Sequence, residues 1–167
     1  SLSDTIKHVG RSLLLRNEFE CSQKIMSARV YVTGLGYYEL YLNGKRVGDH
    51  VLSPAKTNYH KEVLYDTYDV TNQLKKGNNA VGIHLGNGWF NPYKKWWQEY
   101  RMQWFGAKRA IMQLQIEYEN GDNAILTSNK DWKFHHGPIL YNCIYDGELY
   151  DATQEVAKWT SINFDAS

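Results

Sequence analysis

Two acidic residues near the carboxyl end are the first candidates for chemistry. Asp146 and Glu148 stand two positions apart in a segment whose pattern predicts a strand, so their side chains would share one face of it. Acid–base hydrolysis of a glycosidic bond uses two carboxyl groups that flank the bond, about 5–10 Å apart across a cleft. Two carboxyls on one strand are badly placed for that. We therefore predict no catalytic residue, and we expect Asp146 and Glu148 to contact a loop or a neighbouring domain.

Nucleophilic and zinc chemistry lack their residue patterns as well. The sequence has no Gly-x-Ser-x-Gly motif, and neither Cys21 nor Cys143 is supported by a nearby histidine. One disulfide or two buried thiols would both fit these widely separated cysteines. The adjacent His135 and His136 would point to opposite faces of a strand, so we expect no zinc site.

Calcium is the metal that the sequence leaves open. It is bound by several oxygen ligands, and no EF-hand loop is present in the chain. Carboxylates that are available for such a site are Asp49, Asp66, Asp69, Asp146 and Asp151. We treat a structural calcium ion as an alternative without a defined ligand set.

Sugar binding is the chemistry that the residue types fit best. A sugar offers hydroxyls to amides and carboxylates, and apolar C–H faces to aromatic rings. The run 86–90, Gly-Asn-Gly-Trp-Phe, supplies an amide and an indole between glycines that permit close approach. A loop after Pro54 could add a second wall. The predicted carbohydrate-binding residues are Asn87, Trp89, Phe90, Asn58 and Tyr59. The alternative is that Trp89 and Phe90 only cap the hydrophobic core.

A second aromatic segment follows directly. Trp96, Trp97, Tyr100 and Trp104 recur at helical spacing with charged residues between them. We predict a short helical or irregular excursion from the sheet over residues 87–106. These rings could form a sugar platform, but packing against another domain is the commoner use of such a stripe. With Asp146 and Glu148 they are the predicted domain-interface residues.

The elements that must position these residues are strands. Alternating or β-branched runs predict strands at 13–20, 27–34, 37–42, 45–47, 62–70, 79–86, 110–118, 124–127, 132–134 and 139–150. Asn43-Gly44 predicts a type I′ hairpin between two of them, because both central residues of that turn need positive φ. Short strands at regular spacing predict an all-β sandwich.

Composition agrees with one globular domain. The 167 residues are 43% hydrophobic and 22% charged, and we expect a lead-in at 1–10 followed by a single domain at 11–167. The net charge of +1 gives no attraction to nucleic acid, and no apolar run approaches the roughly 20 residues of a membrane helix. Because no signal peptide is seen and the chain begins with Ser1, we expect that neighbouring domains belong to it.

Three groups of motifs together resemble one family. Residues 28–44 read Ala-Arg-Val-Tyr-Val-Thr-Gly-Leu-Gly-Tyr-Tyr-Glu-Leu-Tyr-Leu-Asn-Gly; residues 68–71, Tyr-Asp-Val-Thr, precede Leu-Gly-Asn-Gly-Trp-Phe at 85–90; and Asp-Trp-Lys at 131–133 precedes Tyr-Asp-Gly-Glu-Leu-Tyr-Asp-Ala at 145–152. In this order they resemble the N-terminal accessory domain of bacterial α-L-rhamnosidases, from about residue 13 to 159.

The resemblance implies a jelly-roll, galactose-binding-like β-sandwich attached to a separate (α/α) barrel that carries the acid and base for hydrolysis of terminal α-L-rhamnose. It implies a non-catalytic domain whose partners are that barrel of the same parent chain and a rhamnose-containing glycan, which some relatives bind with calcium. It also implies a secreted or periplasmic protein. The alternatives are a free-standing carbohydrate-binding module and a purely structural spacer between domains.

Overall fold

The chain folds into antiparallel β-strands. The computed structural model describes residues 10–92 and 106–166. Its strands are β1 (Leu13–Cys21), β2 (Ile25–Leu35), β3 (Tyr38–Leu42), β4 (Lys45–Arg46), β5 (Asp66–Asp69), β6 (Gly77–Leu85), β7 (Arg109–Tyr118), β8 (Asn123–Thr127), β9 (Lys133–His136), β10 (Ile139–Cys143) and β11 (Gly147–Tyr150). Two 3₁₀ turns span Thr71–Gln73 and Ala152–Gln154. The all-β prediction is confirmed. None of the helices described is long and apolar enough to cross a lipid bilayer.

Two main sheets carry the structure. Sheet A has the strand order β4-β3-β6-β1-β9, and sheet B has the order β5-β2-β7-β8. The third unit is the hairpin of β10 and β11. Every pairing is antiparallel, and the longest, between β2 and β7, runs from Ile25 opposite Tyr118 to Leu35 opposite Arg109. The chain therefore crosses repeatedly between sheets, as a sandwich requires.

The core is formed by the inward-facing residues of both sheets. Leu40 and Ile83 from sheet A join Val30, Met112 and Leu114 from sheet B in one buried cluster. Alternation along each strand places every second side chain in this cluster, which is why β7 reads as buried at even positions and more open at odd ones. Each large side chain buried in this way stabilises the fold by about 1.5–3 kcal/mol.

The Asn43-Gly44 turn is confirmed by its dihedral angles. Asn43 has φ of 52° and Gly44 has φ of 82°, the two positive values of a type I′ turn. The Asn43 amide also donates to the Gln73 carbonyl and accepts from the Ala80 N–H, at 2.9 Å each. The turn thus ties the β3–β4 hairpin to the start of β6.

Two strand predictions are wrong in part. The predicted strand 62–70 is β only over Asp66–Asp69, because the Leu64 carbonyl accepts from the Thr33 hydroxyl at 2.7 Å instead of joining a ladder. Asp146 lies in the turn between β10 and β11, so it does not share a strand with Glu148. The two side chains therefore are not paired on one strand face.

The remaining local predictions concern a capped turn, the two cysteines and the aromatic segment. Asp69 accepts from the Thr71 N–H at 3.0 Å and so stabilises the turn at Thr71–Gln73. Cys21 and Cys143 are both buried and free, which selects the thiol alternative over the disulfide. The predicted excursion is described only at its beginning and end, and Trp96, Trp97, Tyr100 and Trp104 lie outside the described residues.

Candidate functional site

Aromatic residues from several loops meet at one end of the sandwich. The Trp89 and Tyr145 rings stand nearly perpendicular with centroids 5.5 Å apart, and the Tyr59 and Phe90 rings do the same at 5.2 Å. The Tyr37 hydroxyl forms a hydrogen bond with Trp89, while burial raises the pKa of Tyr37. These five residues are called the aromatic cluster below. Edge-to-face contacts of this kind stabilise by about 0.5–1.5 kcal/mol beyond area burial.

Glycines place the Trp89 loop against the turn before β3. A Cβ atom on Gly36, where φ is +134°, would lie 2.2 Å from the Gly86 carbonyl oxygen. At Gly88, where φ is +54°, it would lie 2.9 Å from the Tyr37 backbone nitrogen. Real Cβ atoms do not come that close, so two backbone segments touch here without side chains between them. This contact fixes Trp89 beside Tyr37.

Trp89 is half-buried and already has neighbours on one face. The Lys56 Nζ atom lies 4.2 Å from the centre of the Trp89 ring, which is the geometry of a cation–π contact. Lys56 is exposed, so a ligand could displace it. Trp89 thus remains available as a binding residue, but only at the ring surface that the loop leaves open.

Asn87 has a structural position instead of the ligand-facing one that we expected. Its side chain is 0% exposed. The amide N–H groups donate to the carbonyls of Gly10 and Asn142, at 3.1 and 2.8 Å. The amide oxygen accepts from Asn91 Nδ2 at 3.1 Å and from Lys108 Nζ at 2.7 Å. Because both ends of the amide are used inside the protein, Asn87 holds four segments together and does not face a ligand.

The other predicted residues divide between surface and interior. Phe90 is 9% exposed and lies against Tyr59, so the capping alternative describes it better than sugar contact. Asn58 is exposed, and its side-chain oxygen accepts from the His60 N–H at 3.2 Å. Tyr59 is half-buried, and burial raises the pKa of its hydroxyl. Among these, Tyr59 and Asn58 keep surface that a ligand could reach.

A cleft beside the aromatic cluster was not foreseen from the sequence. It has a volume of about 640 Å³ and lies between the loop after β4, the end of β6 and the β10–β11 hairpin. Tyr37 and Gly88 line it on the side of the cluster. Its walls combine apolar side chains, such as Val51 and Leu52, with polar ones. Its lining residues lie between Tyr37 and Glu148 in the sequence. No local pattern indicates such a site, because only the antiparallel pairing brings these residues together.

Charged groups in the cleft are largely engaged. The Glu39 carboxylate accepts from the Tyr41 hydroxyl at 2.7 Å and lies 3.4 Å from the Arg46 guanidinium. Glu148, the other carboxylate of the lining, is exposed on the hairpin. Asp146 is turned away to accept from the Tyr141 hydroxyl at 2.8 Å.

A hydrogen-bonded chain supports one wall of the cleft. Asp66 accepts from the Tyr38 hydroxyl at 2.6 Å and from the Ser53 hydroxyl at 2.7 Å. Tyr68 lies within hydrogen-bond distance of both Tyr38 and His50, at 3.3 and 3.2 Å. Burial, together with the bond to Asp66, raises the pKa of Tyr38 far above its usual range. Tyr38 therefore acts as a neutral donor that anchors the loop.

His84 contributes a half-buried imidazole to the cleft wall. It faces Glu39 across the β3–β6 pairing, and burial lowers its pKa below the usual 6.5. The backbone of Gly137 approaches so closely that a Cβ there would lie 3.1 Å from His84 Nε2. His84 is therefore neutral at neutral pH and packs as part of the wall.

The carboxylates named for calcium do not form a ligand set. Asp66 is bonded to Tyr38 and Ser53, and Asp146 to Tyr141. Asp151 accepts from the backbone and hydroxyl of Thr153. Within residues 10–92 and 106–166, no group of three or more His, Cys, Asp or Glu side chains is arranged to hold a metal ion. The described residues thus do not fit a calcium site built from carboxylates.

Comparisons with known proteins identify the family. A model of the α-L-rhamnosidase N-terminal domain matches residues 23–167. An α-L-rhamnosidase of Formosa agariphila is 43% identical over 155 residues, which is 91% of this chain and 16% of that protein. The structure of the Dictyoglumus thermophilum α-L-rhamnosidase matches with a TM-score of 0.85 at 40% identity, over 94% of this chain and 17% of the other.

A further solved structure is the Streptomyces avermitilis α-L-rhamnosidase complexed with L-rhamnose, with a TM-score of 0.85 and 38% identity over 94% of this chain and 15% of that one. This chain spans only 15–18% of the length of the curated relatives that it matches. The chain belongs to the family of α-L-rhamnosidase N-terminal domains.

Proposed function

We propose that this chain is a non-catalytic accessory domain of an α-L-rhamnosidase, which holds rhamnose-containing glycans in the cleft beside the aromatic cluster. Hydrolysis then belongs to an (α/α) barrel elsewhere in the parent chain. The observation that carries the proposal is the cleft of about 640 Å³ that opens next to Tyr37 and Gly88. It offers an aromatic edge, apolar walls and hydrogen-bonding groups together, as a sugar site does.

The lack of turnover follows from the carboxylates of the cleft. Hydrolysis with inversion needs one carboxyl as acid and another as base on opposite sides of the sugar. Glu39 is held by Tyr41 and Arg46, whereas Glu148 stands on an exposed hairpin. We therefore do not assign these two carboxyls as an acid and base pair.

Calorimetric titration with L-rhamnose tests the binding half of the proposal. We expect heat of binding in the wild-type chain. The affinity should fall about tenfold in Tyr37→Ala and in Trp89→Ala, because Tyr37 lines the cleft and is hydrogen-bonded to Trp89. The matched control is Trp132→Ala, a half-buried tryptophan that packs against the core. Titrations with added calcium and with chelator measure any metal dependence.

The same samples test the absence of turnover. The isolated chain is incubated with an aryl α-L-rhamnoside, and we expect no release of the aryl alcohol. Release that disappears in Glu39→Gln or Glu148→Gln would refute the non-catalytic assignment. No binding of L-rhamnose by the wild-type chain would refute the sugar-holding role and leave the family membership untouched.

A supporting role toward the barrel is a second candidate, favoured by exposed apolar residues around the cleft mouth. Val51 is 74% and Leu52 is 66% exposed, and Leu52 has φ of +55°, which strains a residue with a Cβ. Leu149 on β11 is exposed as well. Such a patch is typical of a contact with another domain. Mixing the chain with the rest of its parent protein should give a complex that Leu52→Asp weakens and Phe134→Asp, on sheet A, does not.

A further inference from the structure

The outer face of sheet B contains two hollows that meet at one tyrosine. The larger has a volume of about 420 Å³ and is lined by Arg29, Tyr31 and Gln115 among others. The smaller, of about 300 Å³, is lined by Tyr31, Ile111 and Gln113. Tyr31 borders both, and the two hollows along β2 and β7 are together called the sheet B trough. Its lining comes almost entirely from the strands of sheet B, unlike that of the cleft beside the aromatic cluster.

Tyr31 packs against a second aromatic ring at the place where the two hollows meet. Its ring meets the Tyr65 ring at an interplanar angle of 62° with centroids 6.0 Å apart. The loop that carries Tyr65 is fixed by the hydrogen bond from the Thr33 hydroxyl to the Leu64 carbonyl, 2.7 Å long. The neighbours of Tyr31 on the strand, Val30 and Val32, are buried. Tyr31 is thus a preorganised ring on the outer face, which lowers the ordering cost of binding.

Isoleucines provide apolar surface on both sides of the tyrosine. Ile111 on β7 and Ile125 on β8 are each 65% exposed, at positions where the outer face of an antiparallel sheet is normally polar. Ile111 lies in the smaller hollow and Ile125 in the larger one. The apolar contacts are therefore spread along the trough and are not gathered in one patch.

Glutamines alternate with this apolar surface. Gln113 lies opposite Tyr31 and Gln115 opposite Arg29 in the β2–β7 pairing. Among the bonds that the structure describes, neither glutamine side chain has a partner. An amide side chain can donate and accept at once, as a sugar hydroxyl can. Covering these amides with an apolar protein surface would instead leave them unsatisfied, at about 1–3 kcal/mol each.

The charges along the trough are balanced or slightly negative. Arg29 lies opposite Asp69 in the β2–β5 pairing, and the Glu117 carboxylate accepts from the Ser27 hydroxyl at 3.1 Å. One guanidinium against two carboxylates gives no positive field that would attract a polyanion. The trough therefore suits a neutral ligand and disfavours nucleic acids and acidic polysaccharides.

The trough is long enough for several sugar rings. Ile111 and Glu117 stand six residues apart on β7, which corresponds to about 20 Å at the usual strand rise. We propose that the sheet B trough binds a neutral, linear oligosaccharide or polysaccharide chain, with Tyr31 against a sugar ring and Gln113 and Gln115 on its hydroxyls. This site is separate from the cleft beside the aromatic cluster and does not depend on rhamnose.

Affinity electrophoresis in gels with neutral polysaccharides tests the site. The probes are galactomannan, xyloglucan and mixed-linkage β-glucan, with polygalacturonate as the acidic comparison. We expect at least one neutral probe to retard the wild-type chain and polygalacturonate to leave it unretarded. Tyr31→Ala should weaken the interaction about tenfold, and Gln113→Ala and Gln115→Ala should weaken it by smaller factors.

Matched variants make the result decisive. Phe134→Ala removes an exposed aromatic residue from sheet A and should not change the retardation, and neither should Trp89→Ala. Melting temperatures of all variants show whether the fold is kept. Lack of retardation by all three neutral probes, or retardation that survives in both Tyr31→Ala and Gln115→Ala, would overturn the proposal. So would loss of binding to the rest of the parent protein in Tyr31→Ala, which would make the trough a domain contact.

Discussion

Replacing Asn87 by alanine removes the group that joins four segments beneath the aromatic cluster. Its amide nitrogen donates to the carbonyls of Gly10 and Asn142, and its amide oxygen accepts from Asn91 and Lys108. Alanine removes these four hydrogen bonds at a side chain that is 0% exposed. We therefore expect Asn87→Ala to act on stability, and on sugar binding only through the position of the loop.

The size of the loss can be worked from those bonds. A neutral hydrogen bond contributes about 0.5–1.5 kcal/mol, and a bond from a charged group about 1.5–3 kcal/mol. Three neutral bonds and the one from Lys108 give a loss of about 4 kcal/mol in the free energy of unfolding, since such contributions do not add fully. For a domain of this length that corresponds to a fall of about 8–16 °C in melting temperature.

Urea unfolding followed by circular dichroism measures this loss. Asn79→Ala is the matched comparison, because Asn79 is also fully buried and its amide donates to the carbonyls of Lys75 and Gly77 at 2.7 and 2.8 Å. It should cost a similar amount without touching the aromatic cluster. Asn58→Ala, at an exposed position, should cost less than about 1 kcal/mol. A loss below about 1 kcal/mol in Asn87→Ala would refute the structural role that we assign to this amide.

Three further outcomes are expected. Burial holds the pKa of His84 below its usual 6.5, so the unfolded chain binds a proton at this residue before the folded chain does. The free energy of unfolding should therefore drop as the pH falls through about 6.5, and His84→Gln should flatten this dependence in urea titrations. Burial lowers the pKa of Lys108 to about 8, so its amine should become reactive at a lower pH than the amines of ordinary lysines. Acylation mapped by mass spectrometry across a pH series measures this. The same pH dependence of acylation at Lys108 and at the exposed lysines would contradict the prediction. Gly36→Ala should lower the free energy of unfolding by about 3 kcal/mol or more in thermal melts, because φ is positive there and the new Cβ would collide with Gly86. Gly77→Ala, which has open space around it, should lower that free energy by only about 1 kcal/mol.

Local patterns were sufficient for most of the strands because each strand has its own signal. Alternation in β2 and β7 reflects burial on one face, and the Asn43-Gly44 turn follows from the φ values that only such residues adopt easily. Residues 62–65 of the strand predicted at 62–70 are not in a strand. The Leu64 carbonyl there is bonded instead to Thr33, a residue about 30 positions away. The residue pattern within one segment cannot indicate a hydrogen-bond partner that lies so far away in the sequence.

The site was harder to predict because its residue types serve two purposes. Asparagine beside tryptophan suits a sugar, and it equally suits a buried junction such as the one that Asn87 makes. What separates the two is whether the amide meets carbonyls or solvent, and that depends on Gly10, Asn142 and Lys108, from distant parts of the chain. The cleft depends in the same way on the pairing of β3, β6 and the β10–β11 hairpin.

The same architecture explains why binding and stability must be measured together at this end of the domain. Trp89 is positioned by the direct backbone contact of Gly36 with Gly86 and by the buried Asn87, so a variant at any of these would disturb the indole without facing a ligand. Trp89 itself is half-buried, and the exposed Lys56 lies over its ring. Its truncation therefore removes ligand surface while the supports beneath it stay in place. Loss of sugar affinity with an unchanged melting temperature is the one combination that assigns a residue of this cluster to the ligand and not to the fold.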